Sequence, residues 1–218
     1  MDKIDKFVYI NLKKRTDRNE HILKELQRFE IPSEKIQRVE AVENTKGAYG
    51  CAMSHVKVME EFLKTDDKIW CVIEDDHYFT HTLEQTNSLV EEFLKNEEFD
   101  VLLGCYCNVK GRDLPEGIFR RVSQSSMTSF FIFKRKIAEA LLASHKQSAR
   151  SLNPIYGKKS GTPCDFMWNN LMKVFWFVAP YKPYGSQIKD YSNIRNKVMD
   201  YSNYVGMKVD RFGATAKK

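Results

Sequence analysis

Residues 69–76 read Ile-Trp-Cys-Val-Ile-Glu-Asp-Asp, an apolar run that stops on three consecutive carboxylates, Glu74, Asp75 and Asp76. A run this short, rich in β-branched and aromatic side chains, reads as a buried strand. Three acids at its end repel one another unless a cation sits among them. Hard divalent cations such as Mg²⁺ and Mn²⁺ take oxygen ligands, commonly one or two carboxylates plus substrate phosphates. The pattern therefore points to a metal–phosphate site at the mouth of an α/β sheet, where ligands of such sheets bind. Taken alone, the same acids would also serve to cap a helix or solvate a loop.

Working outward from this strand, the chain alternates between two periods. Phe7–Leu12 is a first strand, followed by the basic stretch Lys13-Lys14-Arg15. Ile22, Leu23, Leu26 and Phe29 then recur at helical spacing, with Thr16 or Asp17 as the expected N-cap. Ile31-Pro32-Ser33 ends that helix, and Ile36–Val42 supplies a second strand. A glycine loop, Gly47–Gly50, opens a helix carrying Ala52, Val56, Met59 and Leu63 on one side. Beyond the acids come a helix over Leu83–Leu94 and a strand at Val101–Leu103. This alternation predicts a three-layer α/β/α domain with a mostly parallel central sheet.

Later segments read less regularly. Strands are expected at Ile118–Val122 and Met127–Phe133, and a helix at Ile137–Leu142. Residues 146–163, with Pro154, Gly157, Gly161 and Pro163, read as a flexible polar loop. A short helix at Phe166–Met172, a strand at Phe175–Val178 and an irregular Tyr-, Asn- and Lys-rich arm complete the chain.

A chain of 218 residues can bury a substantial core. Its net charge of +6, from 35 basic and 29 acidic side chains, favours an anionic ligand such as a nucleotide. The positive charge is dispersed, which does not resemble a nucleic-acid footprint. No apolar stretch approaches the length of a membrane span, and no signal peptide precedes the first strand, so a cytoplasmic location is expected. Cys51, Cys71, Cys105, Cys107 and Cys164 are odd in number and scattered; they read as small buried hydrophobes, with neither a zinc site nor a disulfide framework.

Four blocks carry chemistry. Asn11, Arg15 and Arg18 place amide and guanidinium donors at one lip of the sheet, where arginine forks suit phosphates and base edges. Gly47-Ala-Tyr-Gly-Cys-Ala-Met-Ser-His55 combines glycines at a helix start with Ser54 and His55 one turn on. Glycines spaced like this often mark only a turn, and a lone helical histidine is often structural. The third block is Glu74-Asp75-Asp76. The fourth is Thr162-Pro-Cys-Asp165, where Asp165 is either an N-cap or a general base behind a mobile loop.

In order and identity these blocks resemble glycosyltransferase family 25, which includes bacterial lipooligosaccharide sugar transferases and collagen galactosyltransferase domains. The family's opening V-I-N-L-x-R-R-x-D-R is matched by Val8–Arg18, and G-x-x-G-C-A-x-S-H by Gly47–His55 with every fixed position present. An apolar strand ending in E-D-D, a P-x-D segment at Pro163–Asp165 and a late Q…S-x-I at Gln187…Ile194 follow, so the resemblance spans roughly residues 6 to 195. Lys14 stands where Arg is common, and Asn193 where an acid is usual.

The resemblance implies a GT-A-like nucleotide-sugar-binding domain over residues 1–195 with a C-terminal arm over 196–218. It implies metal-assisted, inverting transfer of galactose or glucose from a UDP-sugar to an acceptor hydroxyl on a glycan, glycolipid or hydroxylysine-type protein. Mn²⁺ (or Mg²⁺) would be held by Asp76 with Glu74 or Asp75. Asn11, Arg15, Arg18, Tyr49, Gly50, Ser54, His55 and Gln187 would line the UDP-sugar, and Asp165 would be the base. Family precedent leaves bacterial or viral origin open, with action in the cytoplasm or at a membrane face. Two rivals stand beside it: a non-catalytic nucleotide-sugar-binding relative, and a metal-dependent nuclease or phosphatase using the same acids with His77 and His81.

Overall fold

The computed structural model describes residues 1–115, 117–156, 161–192, 194 and 197–201. Strand β1 (Lys6–Asn11) lies between β2 (Ile36–Glu40) and β3 (Ile69–Glu74), parallel to both. Four of its central residues divide by pleat: Phe7 and Tyr9 enter one core, Val8 and Ile10 the other. Strand β3 divides likewise, Cys71 and Ile73 against Trp70 and Val72. Strands buried on both faces need continuous apolar runs, which is what these two carry.

The remaining strands of the sheet are β5 (Val101–Leu103), β6 (Cys107–Asp113), β7 (Phe119–Ser126), β8 (Phe130–Lys134) and β9 (Phe177–Pro180). The eight strands run β2-β1-β3-β8-β5-β9-β7-β6. Six point the same way, while β8 and β7 are inserted antiparallel, so the mostly one-directional sheet expected from the alternation is present. Helices α1 (Thr16–Arg28) and α3 (Leu83–Lys95) cover one face, with Ile22, Leu26, Leu89, Val90 and Phe93 in the first core. Helices α2 (Gly47–Phe62) and α4 (Ala138–Leu152) cover the other through Val58, Met59, Phe62 and Leu141. The result is a three-layer α/β/α fold on a mostly one-directional central sheet.

A small pair, β4 (His77–Phe79) with β10 (Gly185–Gln187), follows the acids, and a ribbon of β11 (Asp190–Ser192) with β12 (Lys197–Met199) folds over the same end of the sheet. The arm expected from residue 196 begins inside this ribbon. Residues 202–218 lie outside the described residues, as do Gly157 of the expected loop and Asn193 of the late motif.

Several local expectations are corrected. The N-cap of α1 is Arg15, not Thr16 or Asp17, and it has no side-chain cap bond; Asp17 instead pairs with Arg15 at 2.7 Å. Residues 47–50 are the first turn of α2 rather than a loop before it. Residues 146–152 are helical, not loop, because the buried side of α4 continues through Ser144, His145, Ser148, Ala149 and Leu152. That face keeps the 3.6-residue period with small polar side chains, which a search for apolar periodicity passes over. Strand β6 carried no such signal, since its sequence Cys-Asn-Val-Lys-Gly-Arg-Asp is mostly polar and exposed. Among the described residues no helix is long and apolar enough to cross a membrane.

Candidate active site

The carboxyl ends of β1 and β3 open into a cleft of ≈ 710 Å³, walled by the start of α2 on one side and by the β11–β12 ribbon on the other. Glu74, Asp75, Asp76, Arg15, Arg18 and Gln187 all line it. Asn11 ends β1 beneath Asp75. Its amide donates to Asp75 Oδ2 at 2.7 Å and to the Arg15 carbonyl at 3.0 Å, while its Oδ1 accepts from Arg38 Nη2 at 2.8 Å. Asn11 is thus a buried positioning residue for Asp75, not a cleft wall.

The three acids are built into one network. Arg18 Nη1 donates to Asp75 Oδ1 at 3.1 Å and to Asp76 Oδ2 at 2.9 Å. Gln187 Nε2 donates to Glu74 Oε2 and Asp76 Oδ1, each at 2.9 Å. Thr128 Oγ1 donates to Glu74 Oε1 at 2.7 Å, and His55 Nε2 lies 3.5 Å from the same oxygen. On the far side Asp190 accepts from Arg18 Nε at 2.9 Å and also from Arg15. Burial pushes the Asp76 carboxyl up to about 7; Arg18 opposes this, and Glu74 and Asp75 add to it. Burial also raises Asp75, against Arg18 and Asn11. Glu74 stays low despite its burial because His55, Thr128 and Arg18 favour its charge.

This donor set fits a hard divalent cation. Three largely buried carboxylates face one guanidinium, which reaches two of them, and each bonded carboxylate oxygen keeps a second lone pair. The acids surround Arg18 and Gln187 rather than one point, so a cation would be held by Asp76 with one neighbour, its other ligands coming from elsewhere.

A family model described as glycosyltransferase family 25 (LPS biosynthesis protein) matches residues 38–155, more than half of the chain. The chain belongs to glycosyltransferase family 25. Among curated proteins none is a significant match. Solved structures similar to this family-25 chain include A197 from STIV, at 13% identity and TM-score 0.46, covering 89% of this chain and 93% of that one. Another is a glycosyltransferase involved in glycosylation of the major capsid of PBCV-1, at 10% identity and TM-score 0.49, covering 88% and 95%. A third is UDP-glucose pyrophosphorylase complexed with UDP-glucose, at 11% identity and TM-score 0.48, covering 81% and 90%. Likenesses this distant carry nothing about substrate.

Within the family-25 chain, the motif residues fall into three groups. Arg15, Arg18, Ser54, His55, the three acids and Gln187 share the cleft. Ser54 is tied inward, however, donating to the Gly50 carbonyl at 2.7 Å and accepting from Val42 N–H at 2.8 Å. Gly50 and Tyr49 do not line the cleft. Gly50 lets α2 approach the Val42 carbonyl so closely that a Cβ would collide with it, and Tyr49 packs on the cluster of Ala52, Ala149, Leu152 and Cys164. Asp165 lies behind the cleft wall in α5 (Cys164–Met167), where it accepts the Met127 N–H at 3.0 Å. Met127 is held at φ 84, next to the Thr128 that orients Glu74.

Sequence reasoning missed Asp190, Thr128 and Arg38. None sits in an apolar-to-polar transition or beside a glycine turn, so only tertiary folding reveals them. It also read the cysteines as unrelated, yet Cys51 and Cys164 Sγ atoms lie 3.7 Å apart. The nuclease or phosphatase rival loses its extra ligands: His77 Nδ1 faces Ser129 Oγ at 3.3 Å, His81 stacks on Tyr184, and neither lines the cleft.

Proposed function

We propose that this protein transfers a hexose, galactose or glucose, from a UDP-sugar to an acceptor hydroxyl with inversion, acting in the cytoplasm. The observation that carries the proposal is the joining of two permanent cations, Arg15 and Arg18, with the acid triplet in one cleft. Arg15 and Arg18 would attract and orient the diphosphate, since guanidinium groups keep their charge at any working pH. Asn11, Gln187 and Thr128 would hold the acids still, so that they need not reorganise as charge develops. Asp76, with Glu74 or Asp75, would hold Mn²⁺ (or Mg²⁺), which when bound supplies Lewis-acid neutralisation of the UDP leaving group.

Asp165 is our candidate for the base that takes the acceptor proton. In support, its chain neighbour Cys164 touches the cleft-lining Cys51, so the carboxylate stands just behind that wall. The acceptor hydroxyl would attack an anomeric carbon of oxocarbenium character. Acceptors consistent with the family are a glycan, a glycolipid or a hydroxylysine-type protein.

The test is release of UDP from a panel of UDP-sugars, without acceptor, in Mn²⁺, Mg²⁺ or EDTA. Slow metal-dependent hydrolysis of one donor is expected, and Asp76→Ala should abolish metal-dependent UDP binding. Hydrolysis indifferent to EDTA would assign the neutralising charge to Arg18 instead. No UDP binding under any condition would overturn the donor assignment.

A further inference from the structure

We propose that Cys51, His55 and Cys164 form a Zn²⁺ site in the wall of the cleft, adjoining the acid triplet through Glu74 but sharing no ligand with it, and independent of the donor proposed above. Among the described residues this is the one trio of His, Cys, Asp or Glu side chains whose ligating atoms all lie within 4.8 Å of one another. Cys51 and His55 are four apart on α2 and share a face; Cys164 is the first residue of α5, which packs against that helix.

The geometry is that of zinc rather than of a disulfide. Two thiolates bound at about 2.3 Å and at a tetrahedral angle stand about 3.8 Å apart, and the two sulfurs are 3.7 Å apart. A disulfide would need about 2.05 Å. The chemistry agrees: thiolate with imidazole selects Zn²⁺ over Mn²⁺ or Mg²⁺. On binding, both thiol protons leave to solvent, and two thiolates with one Zn²⁺ sum to zero charge, which suits a site where His55 is 0% and Cys164 3% exposed.

Imidazole nitrogens supply the second observation. His55 Nε2 faces Glu74, whereas His55 Nδ1 is buried without a hydrogen-bond partner among the described residues. That leaves Nδ1 as the ligand and Glu74 as the carboxylate that orients the ring, a usual arrangement around zinc-bound histidine. The His145 ring, centred 5.2 Å from that of His55, is also buried with neither nitrogen partnered among the described residues. Such nitrogens are rare in folded proteins, and here they cluster at one place. Cys51 and His55 line the cleft, which gives water a route to complete the four ligands zinc takes.

Reduced, metal-stripped protein should be titrated with Zn²⁺ by calorimetry and with Co²⁺ by absorption. We expect one equivalent bound, a thiolate-to-cobalt charge-transfer band, and protection by Zn²⁺ of two thiols from alkylation. Cys51→Ser and Cys164→Ser should each remove the band, with circular dichroism verifying the fold, while Asp76→Ala should keep it. Zn²⁺ should raise the Tm of the parent protein only. No binding by the folded parent protein would overturn the site. So would a band that survives both serine variants, or binding lost with Asp76→Ala, which would place the ion on the acids. Failure here leaves UDP release untouched, so the two assignments fall separately.

Discussion

Asp76 and His77 are neighbours in sequence and answer acid in opposite directions. The Asp76 carboxyl is pushed by burial from 3.8 up to about 7. Between those values the native protein holds a proton that the unfolded chain has lost, so acidification stabilises. His77 is pushed by burial, and by His21, from 6.5 down to about 3, and buried His145 lies well below its ordinary value too. Below pH 6.5 the unfolded chain protonates both imidazoles while the native state refuses, so acidification destabilises, by up to about 1.4 kcal/mol per pH unit per group. Three lowered imidazoles, His81 included, outweigh the two raised carboxyls, Asp76 and Asp75. The parent protein should lose stability below pH 6.5, and Asp76→Asn should lose it more steeply, because the compensating proton uptake of Asp76 is gone. Thermal unfolding of both proteins from pH 5 to 8 checks this; equal slopes would mean that Asp76 stays ionised down to pH 5. Asp165→Asn separates two roles at the same scale. As a base, it should cut turnover severely while UDP binding stays nearly intact. Should UDP binding fall with turnover, Asp165 acts through Met127 and Thr128 on Glu74. Donor calorimetry beside single-turnover kinetics distinguishes them.

At the scale of elements, what was legible followed from period and what was not followed from partners. The strands β1 and β3 declared themselves because both faces are buried, which forces unbroken apolar runs. The period placed α3, but its start was fixed by a signal left unread, Thr82 and Gln85, which exchange capping bonds of 3.2 and 3.0 Å. The continuation of α4 stayed hidden because its buried face turns polar, Ser148 donating at 2.7 Å to the Thr162 carbonyl. The antiparallel insertion of β8 between β3 and β5 was equally hidden, since pairing partners are a property of the sheet and not of a segment. One residue marks how tightly that insertion fits. A Cβ on Gly104, just past β5, would collide with the Phe130 ring on β8. Phe130 is 1% exposed and packed against His77 and Phe79, so it cannot yield cheaply. Gly104→Ala should cost about 1–3 kcal/mol through overpacking. Denaturant unfolding should show the loss, and adding Phe130→Leu should recover part of it.

At the scale of the molecule, the candidate site is a meeting of segments that a linear reading sees as separate. Arg15, Arg18, His55 and the acid triplet were legible as cleft residues because each carries its own chemistry at a strand end or helix start, whereas Asn11, Tyr49 and Gly50 of the same motifs support the wall instead. The ribbon that closes the cleft was not, because Asp190 is one acid in a polar stretch, and its meaning lies in Arg15 and Arg18 some 175 and 172 residues away. Those two bonds join the last described part of the chain to the first helix. They also hold Asp190 down at about 2: its own desolvation is outweighed by the hydrogen bonds from Arg15, Tyr191 N–H and Arg18. The ribbon adds little to either core, Tyr191 and Val198 being exposed, yet Tyr191, Met199 and Tyr201 line the cleft. Removing its clamp should therefore affect ligand binding more than folding. Asp190→Ala should weaken UDP binding by about tenfold, equivalent to about 1.4 kcal/mol. The Tm should fall by no more than about 5 °C, because Asp190 is partly exposed and Arg15 and Arg18 keep other carboxylate partners. Calorimetry of UDP binding and of unfolding on the same preparations provides both numbers. Unchanged affinity would remove the ribbon from the donor site, and a large fall in Tm would make it part of the fold instead of a wall of the cleft.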